Sequence, residues 1–194
     1  MPISVSEASQ CIRFARETIR SAIEGTRPPD LLQGHEGKQG VFVTLTIDKE
    51  LRGCIGFPEP VLPLREALAK AAHAAAFEDP RFPRLTKAEF PQVTIEISIL
   101  TPPEHIRVAD PEEYLQRIKV GSDGLIIRSP YGAGLLLPQV FVEYHCSARQ
   151  ALEMTCQKAG IGKDAWRDHR VRVLKFQGQV FKETTPEGKV VEEL

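Results

Sequence analysis

Arg52, Gly53 and Cys54 follow one another on the return arm of a β-branched stretch, and no other residues of this chain are better placed for chemistry. In an extended strand, residues two apart share a face, so Arg52 and Cys54 are expected to point the same way. A guanidinium beside a thiol favours the thiolate, the species that acts as nucleophile, ligand or redox centre. Gly53 and Gly56 give room for a substrate to approach the backbone closely, or supply a φ that ordinary residues avoid. The competing reading is architectural: a small cysteine buried in a strand too crowded for bulk.

Other candidates stand further along. His73 could act as a general base, but it follows Glu66 and Lys70 along the polar edge of a helix, where a solvated or structural histidine is the more ordinary reading. Asp79 and Arg81 straddle Pro80; they could clamp a carboxylate or phosphate, or pair with each other. His145-Cys146 could supply ligands or a thiol–imidazole pair, but adjacent residues rarely point at one metal and no second pair completes a zinc site, so no metal is expected. Gly132 and Gly134 read as a hairpin turn. Gly37-Lys38 is followed by Gln39 and a strand, where a phosphate loop needs Ser or Thr and a helix. GxSxG, HExxH and Walker A patterns are absent, which removes the commonest hydrolase, zincin and NTPase assignments.

The elements that must position these residues are readable from periodicity. Residues 4–24 alternate at helical spacing (Ala8, Cys11, Ile12, Ala15, Ile19), with Ser4 or Ser6 to cap the start and Gly25 at the end; Cys11 falls on the apolar stripe and is expected to pack. Residues 25–40 read as a Pro/Gly-rich loop. Val41 to Ile47 is a strand, 48–50 a turn, and Leu51 to Ile55 its hairpin partner. Residues 62–77 form a second helix with Pro63 in its first turn, and its alanines predict close packing on two sides. Strands follow at 93–100, 125–128 and 135–137, a short helix at 111–118, and a helix beginning at Ser147 and closed by Gly160. Val171 to Lys182 is strand-like with a break at Gly178, and 184–194 is a loose hairpin or a tail. Hairpins with helices between them and no βαβ alternation predict an α+β fold with a mainly antiparallel sheet and flanking helices. The whole chain reads as a single domain with its core at 4–183.

The totals narrow the class. The chain has 194 residues and a formal net charge of −1, so no global basic field is available for nucleic acid or an anionic membrane. No apolar run approaches the roughly 18 residues of a membrane helix, and the N-terminus lacks a signal-peptide layout. Four cysteines without a CxxC pair suit reduced thiols and a cytoplasmic setting. The absence of asparagine, with 15 prolines, points towards a thermophilic source.

Taken in order, LRGCIG at 51–56, DPRF at 79–82, EISILTPPE at 96–104, the G-x-x-GL of 121–125, GLLLPQV at 134–140, KAGIGKDAW at 158–166 and F-x-E at 181–183 resemble AMMECR-type domains, whose microbial members are called AmmeMemoRadiSam system protein A. The resemblance covers nearly the whole chain. It implies an α+β fold of two unequal lobes with a cleft between them and LRGCIG near that cleft, and an association with Memo-type and radical S-adenosylmethionine proteins. It supplies no reaction and no cofactor. The chain departs from the pattern at Val142-Glu143-Tyr144-His145-Cys146, where relatives carry an aromatic segment.

Three functions are therefore weighed. The first is a cysteine-dependent enzyme or enzyme subunit, with Cys54 as nucleophile, Arg52 as its electrostatic partner, Arg81 as anion clamp and His73 as proton carrier. The second is a non-catalytic adaptor that takes a peptide or a Memo-type partner. The third, a nucleic-acid-associated regulator, needs a basic surface that the charge total does not promise.

Overall fold

The computed structural model describes residues 3–27, 32 and 37–193, so Gly34-His35-Glu36 and much of the loop read at 25–40 lie outside the described residues. The chain divides into two compact units, Met1–Leu100 with Gln179–Leu194, and Thr101–Gly178. Helices and antiparallel hairpins make both units, an α+β fold. No helix among the described residues is long and apolar enough to cross a membrane.

The first unit opens with helix α1 (Val5–Glu24). Ser4 caps it: its side chain accepts from the Glu7 N–H at 3.2 Å, and the Glu7 carboxylate accepts from the Ser4 N–H at 2.8 Å. Gly25, at φ +69°, ends it in the left-handed conformation. Strands β1 (Gly40–Ile47) and β2 (Glu50–Phe57) form the expected hairpin. Asp48 and Lys49 both take positive φ in its turn, which matches the twist of the flanking strands. Helix α2 (Leu64–Phe77) follows Pro63, and β3 (Thr94–Leu100) pairs with β1 on the side away from β2.

Val41, Val43 and Leu45 of β1 and Ile95, Ile97 and Ile99 of β3 face one way, into a core completed by Ala8, Ile12 and Ile19 of α1 and Leu64, Leu68 and Ala71 of α2. Both helices thus cover one face of the sheet. Two buried charges fasten α1 to it. Arg16 donates from Nη2 to Glu183 Oε2 at 2.5 Å and from Nε to Oε1 at 3.2 Å, and the same carboxylate accepts from the Ile95 N–H at 2.8 Å.

The second unit holds β4 (Glu104–His105), α3 (Tyr114–Arg117), β5 (Gly124–Ser129), β6 (Gly132–Leu136), α4 (Pro138–Glu143), α5 (Ala148–Lys158) and β7 (Arg172–Phe176). Its sheet runs β4-β7-β5-β6 around a separate core of Leu125, Ile127, Phe141, Leu152, Trp166 and Val173. Ser147 caps α5 in a second capping box with Gln150. The chain then returns through β8 (Gly178–Glu183) and β9 (Val190–Glu193), which complete the first unit's sheet in the order β2-β1-β3-β8-β9.

Three expectations need correction. Gly132 and Gly134 do not make the hairpin turn, which falls at Pro130-Tyr131; both lie inside β6, where a Cβ would overlap the backbone around Ala159. Residues 171–182 are not one strand with a break. The chain leaves one sheet after Phe176 and enters the other at Gly178. A helix, α4, occupies residues 138–143, where no helix is expected from the sequence.

Candidate functional site

Cys54 lies on β2, the edge strand of its sheet. Its neighbour Gly53 faces α2: a Cβ there would overlap the Ala75 carbonyl oxygen. Because alternate strand residues point to opposite faces, the Cys54 side chain stands on the sheet face away from the two helices. The room expected for a substrate at Gly53 is taken by α2, and at Gly56 by the Val41 carbonyl and the Phe42 ring.

The free edge of β2 is stapled at Cys54. Its N–H donates to Asp79 Oδ2 at 2.9 Å, and its carbonyl accepts from Arg81 Nη2 at 3.2 Å. Asp79 and Arg81 also pair with each other, Nε to Oδ1 at 2.9 Å and Nη2 to Oδ2 at 2.7 Å, while the Arg81 N–H donates to Oδ1 at 3.1 Å. Of the two options open in the sequence the structure shows the pairing, and the pair also holds the backbone of Cys54. Arg81's hydrogen bonds keep the Asp79 carboxyl well below the usual carboxylate range, against the effect of burial, with the Cys54 and Arg81 N–H groups adding to the lowering. Asp79 in turn holds Arg81 protonated above its ordinary range, and the neighbouring Cys54 adds to this.

Arg52 does not play the part expected of it. The β1–β2 register shifts between Leu45, opposite Gly53, and Thr46, opposite Leu51, so Arg52 is the extra residue of a bulge. Its guanidinium forks onto Glu89 at 3.0 and 3.2 Å and donates from Nη1 to the Pro83 carbonyl at 2.9 Å. Arg52, with the N–H and hydroxyl of Thr86, brings the Glu89 carboxyl down to about 2. The cation beside Cys54 is Arg81. His73 sits on α2, on the opposite face of the sheet from the thiol, with Nδ1 3.1 Å from the Glu78 carboxylate. It lines a groove of about 370 Å³ with Phe57, Ala69, Lys70, Ala74 and Glu78.

Two groups missing from the sequence reading join the site. Thr44, directly opposite Cys54, donates from Oγ1 to Sγ at 3.3 Å. Glu96 lies opposite Thr44 on the other side, so Cys54, Thr44 and Glu96 form one row across β2, β1 and β3. Burial raises the Glu96 carboxyl, Glu193 adds to the shift and Lys182 opposes it. Thr44 was within reach of sequence reasoning, because counting back from a turn at 48–50 places residue 44 opposite 54.

The remaining cysteines are buried. Burial pushes the Cys11 thiol up to about 12 and that of Cys156 to about 11. Cys146 points at Met154, Sγ to Sδ 3.3 Å, while its neighbour His145 is exposed at φ +49°. Among the described residues, no three His, Cys, Asp or Glu side chains gather where they could hold a metal ion.

A thiol on an edge strand, stapled by a carboxylate–guanidinium pair, thus sits in one unit of a two-unit α+β protein, and comparison with known proteins places this arrangement in a family. The AMMECR1 family model matches residues 12–181, and the chain belongs to that family. It is 45% identical to Protein MJ0810 of Methanocaldococcus jannaschii, over 98% of this chain and 96% of that protein. A protein of Thermofilum pendens is 46% identical over the same shares. The crystal structure of uncharacterized protein PH0010 from Pyrococcus horikoshii superposes with a TM-score of 0.87 at 42% identity, covering 98% of both chains.

Proposed function

We propose that this protein is a cysteine-dependent enzyme, or the thiol-bearing subunit of one, with Cys54 as nucleophile and Arg81 as its electrostatic partner. The observation that carries the reading is the position of the Arg81 guanidinium, which Asp79 holds in a hydrogen bond to the backbone carbonyl of the one cysteine of four that is not buried. In such a step the thiolate sulfur bonds to an electrophilic carbon, the leaving group departs with its electron pair, and the thiol proton passes to solvent. Thr44 donates a hydrogen bond that would steady the sulfur. The family resemblance supports an association with Memo-type and radical S-adenosylmethionine proteins and, with the cysteine usage, a cytoplasmic setting. The thermophilic relatives, with the asparagine-free composition, support a thermophilic source.

The test is residue-resolved alkylation of the native protein. Cys54 should react with iodoacetamide well ahead of Cys11 and Cys156, and Arg81→Ala should slow it by roughly fivefold, since a unit charge about 4 Å away contributes about 1 kcal/mol in a water-like medium. A Cys54 that stays unlabelled in the folded protein would end the nucleophile reading.

A second reading has one observation in its favour. A groove of about 770 Å³ runs along α1 and the β8–β9 turn, with Arg13, Arg20, Lys189 and Glu17 beside Ile12 and Val190, a mixed lining that suits a peptide. Under this adaptor reading Cys54 is architectural. Cys54→Ser separates the two: partner binding kept with pathway activity lost favours the enzyme, and both kept favours the adaptor.

A further inference from the structure

The geometry points to a substrate class: we infer that the Cys54 site takes small molecules bearing an anionic group, a carboxylate or phosphate, close to the electrophilic atom, with Arg81 as the receptor for that anion. The inference rests on the nucleophile reading above.

Arg81 is half spent and half free. Nε and Nη2 are used on Asp79, and Nη2 also serves the Cys54 carbonyl. No partner stands at Nη1 among the described residues, which leaves both of its N–H groups for a ligand. The pair is also oriented. The Asp79 side chain is 2% exposed and the Arg81 side chain 53%, so a pair that is neutral in sum turns its positive end outward. The Phe82 ring lies 5.5 Å from the guanidinium carbon and braces it from a further direction. A planar fork held on three sides loses little freedom when an anion docks.

Arg52 shows the contrast. Each of its three nitrogens already donates, two to Glu89 and one to the Pro83 carbonyl, and its side chain is only 12% exposed, so it fastens the strand and offers no wholly unspent nitrogen to a ligand. Of the two arginines around the LRGCIG stretch, Arg81 is the one built as a receptor, and it adjoins the thiol.

The experiment compares two alkylating reagents of nearly equal size on the full chain, iodoacetate (anionic) and iodoacetamide (neutral), with labelling read at Cys54 by mass spectrometry. The ratio of their rates at Cys54, normalised to the ratio for 2-mercaptoethanol, should exceed one by about fivefold at low salt and shrink towards one at ~1 M salt. Arg81→Ala should abolish the preference and Arg81→Lys should keep part of it. Inorganic phosphate should also slow iodoacetamide labelling of the unaltered protein in a saturable way, a readout that survives if Arg81→Ala misfolds. A Cys54 that reacts with both reagents at the free-thiol ratio, unprotected by phosphate, overturns the anion receptor while leaving the nucleophile standing. A Cys54 that reacts with neither overturns both.

Discussion

Asp79 does more for the site than its position on a loop suggests. Its carboxylate accepts from the Cys54 N–H, the Arg81 N–H and two Arg81 side-chain nitrogens, and its side chain is almost wholly withdrawn from water. Asp79→Ala would leave the edge N–H of Cys54 without its acceptor and free the Arg81 side chain, at a cost of about 1–3 kcal/mol for a lost, partly charged hydrogen-bond set. Urea denaturation should show that loss, with the alkylation preference for iodoacetate falling in parallel. The pH dependence has a definite sign. A carboxyl whose folded-state pKa is depressed contributes fully above its unfolded value, about 3.9, and the contribution drains away as pH falls through the folded value. The stability gap between the unaltered protein and Asp79→Asn should therefore be widest near neutrality and narrow below about pH 4. A gap that does not change between pH 7 and pH 3 would show that the carboxylate charge plays no part.

At the scale of elements, the site is a consequence of how α2 lies on β2. Gly53 meets the Ala75 carbonyl directly, and two residues after the helix's Phe77 the chain delivers Asp79 to the strand edge. Gly53→Ala must push helix and strand apart; overpacking of this kind costs about 1–3 kcal/mol. It should also loosen the Asp79 staple, so the expected result is a lower melting temperature together with a weakened iodoacetate preference. A lower melting temperature with the preference intact would show that α2 and the staple are not mechanically linked. Much of this arrangement was legible beforehand. The apolar spacing and Ser4 cap of α1, the Ser147 start of α5 and the 41–55 hairpin are local signals, and the structure keeps them. The partner of Arg52 was not legible, because Glu89 lies 37 residues away and the glycine beside the bulge, Gly53, signals a close backbone approach as readily as a bulge. Nor was the role of Gly132 and Gly134: a glycine that admits a neighbouring helix and one that makes a turn look alike until the neighbour is known. The six residues of α4 are too few for periodicity to register.

At the scale of the molecule, the second unit is an insertion in the first. The chain leaves the five-stranded sheet at the end of β3 and re-enters it at β8, and these two strands are neighbours in that sheet. The ends of the inserted stretch are clasped: the Thr101 N–H donates to the Gln177 carbonyl at 2.8 Å, and the Gln177 N–H donates to Thr101 Oγ1 at 2.9 Å. A change of sheet at Gln177-Gly178 is set by long-range pairing, which is why the sequence of 171–182 looks like one interrupted strand. Each unit has its own buried core, and every group placed around Cys54, from Thr44 to Glu96, belongs to the first. Replacing 101–178 by a Gly/Ser turn of about 4 residues, a normal length for a strand connection, should leave a first unit that melts cooperatively. In it, Cys54 should still label faster with iodoacetate than with iodoacetamide, because neither the staple nor the receptor draws on the removed residues. The excised 101–178 should give a dispersed amide NMR spectrum on its own. If the shortened protein folds but the preference disappears, the anion site depends on residues of the second unit; if it fails to fold, β8 and β9 need the insertion to find their place beside β3.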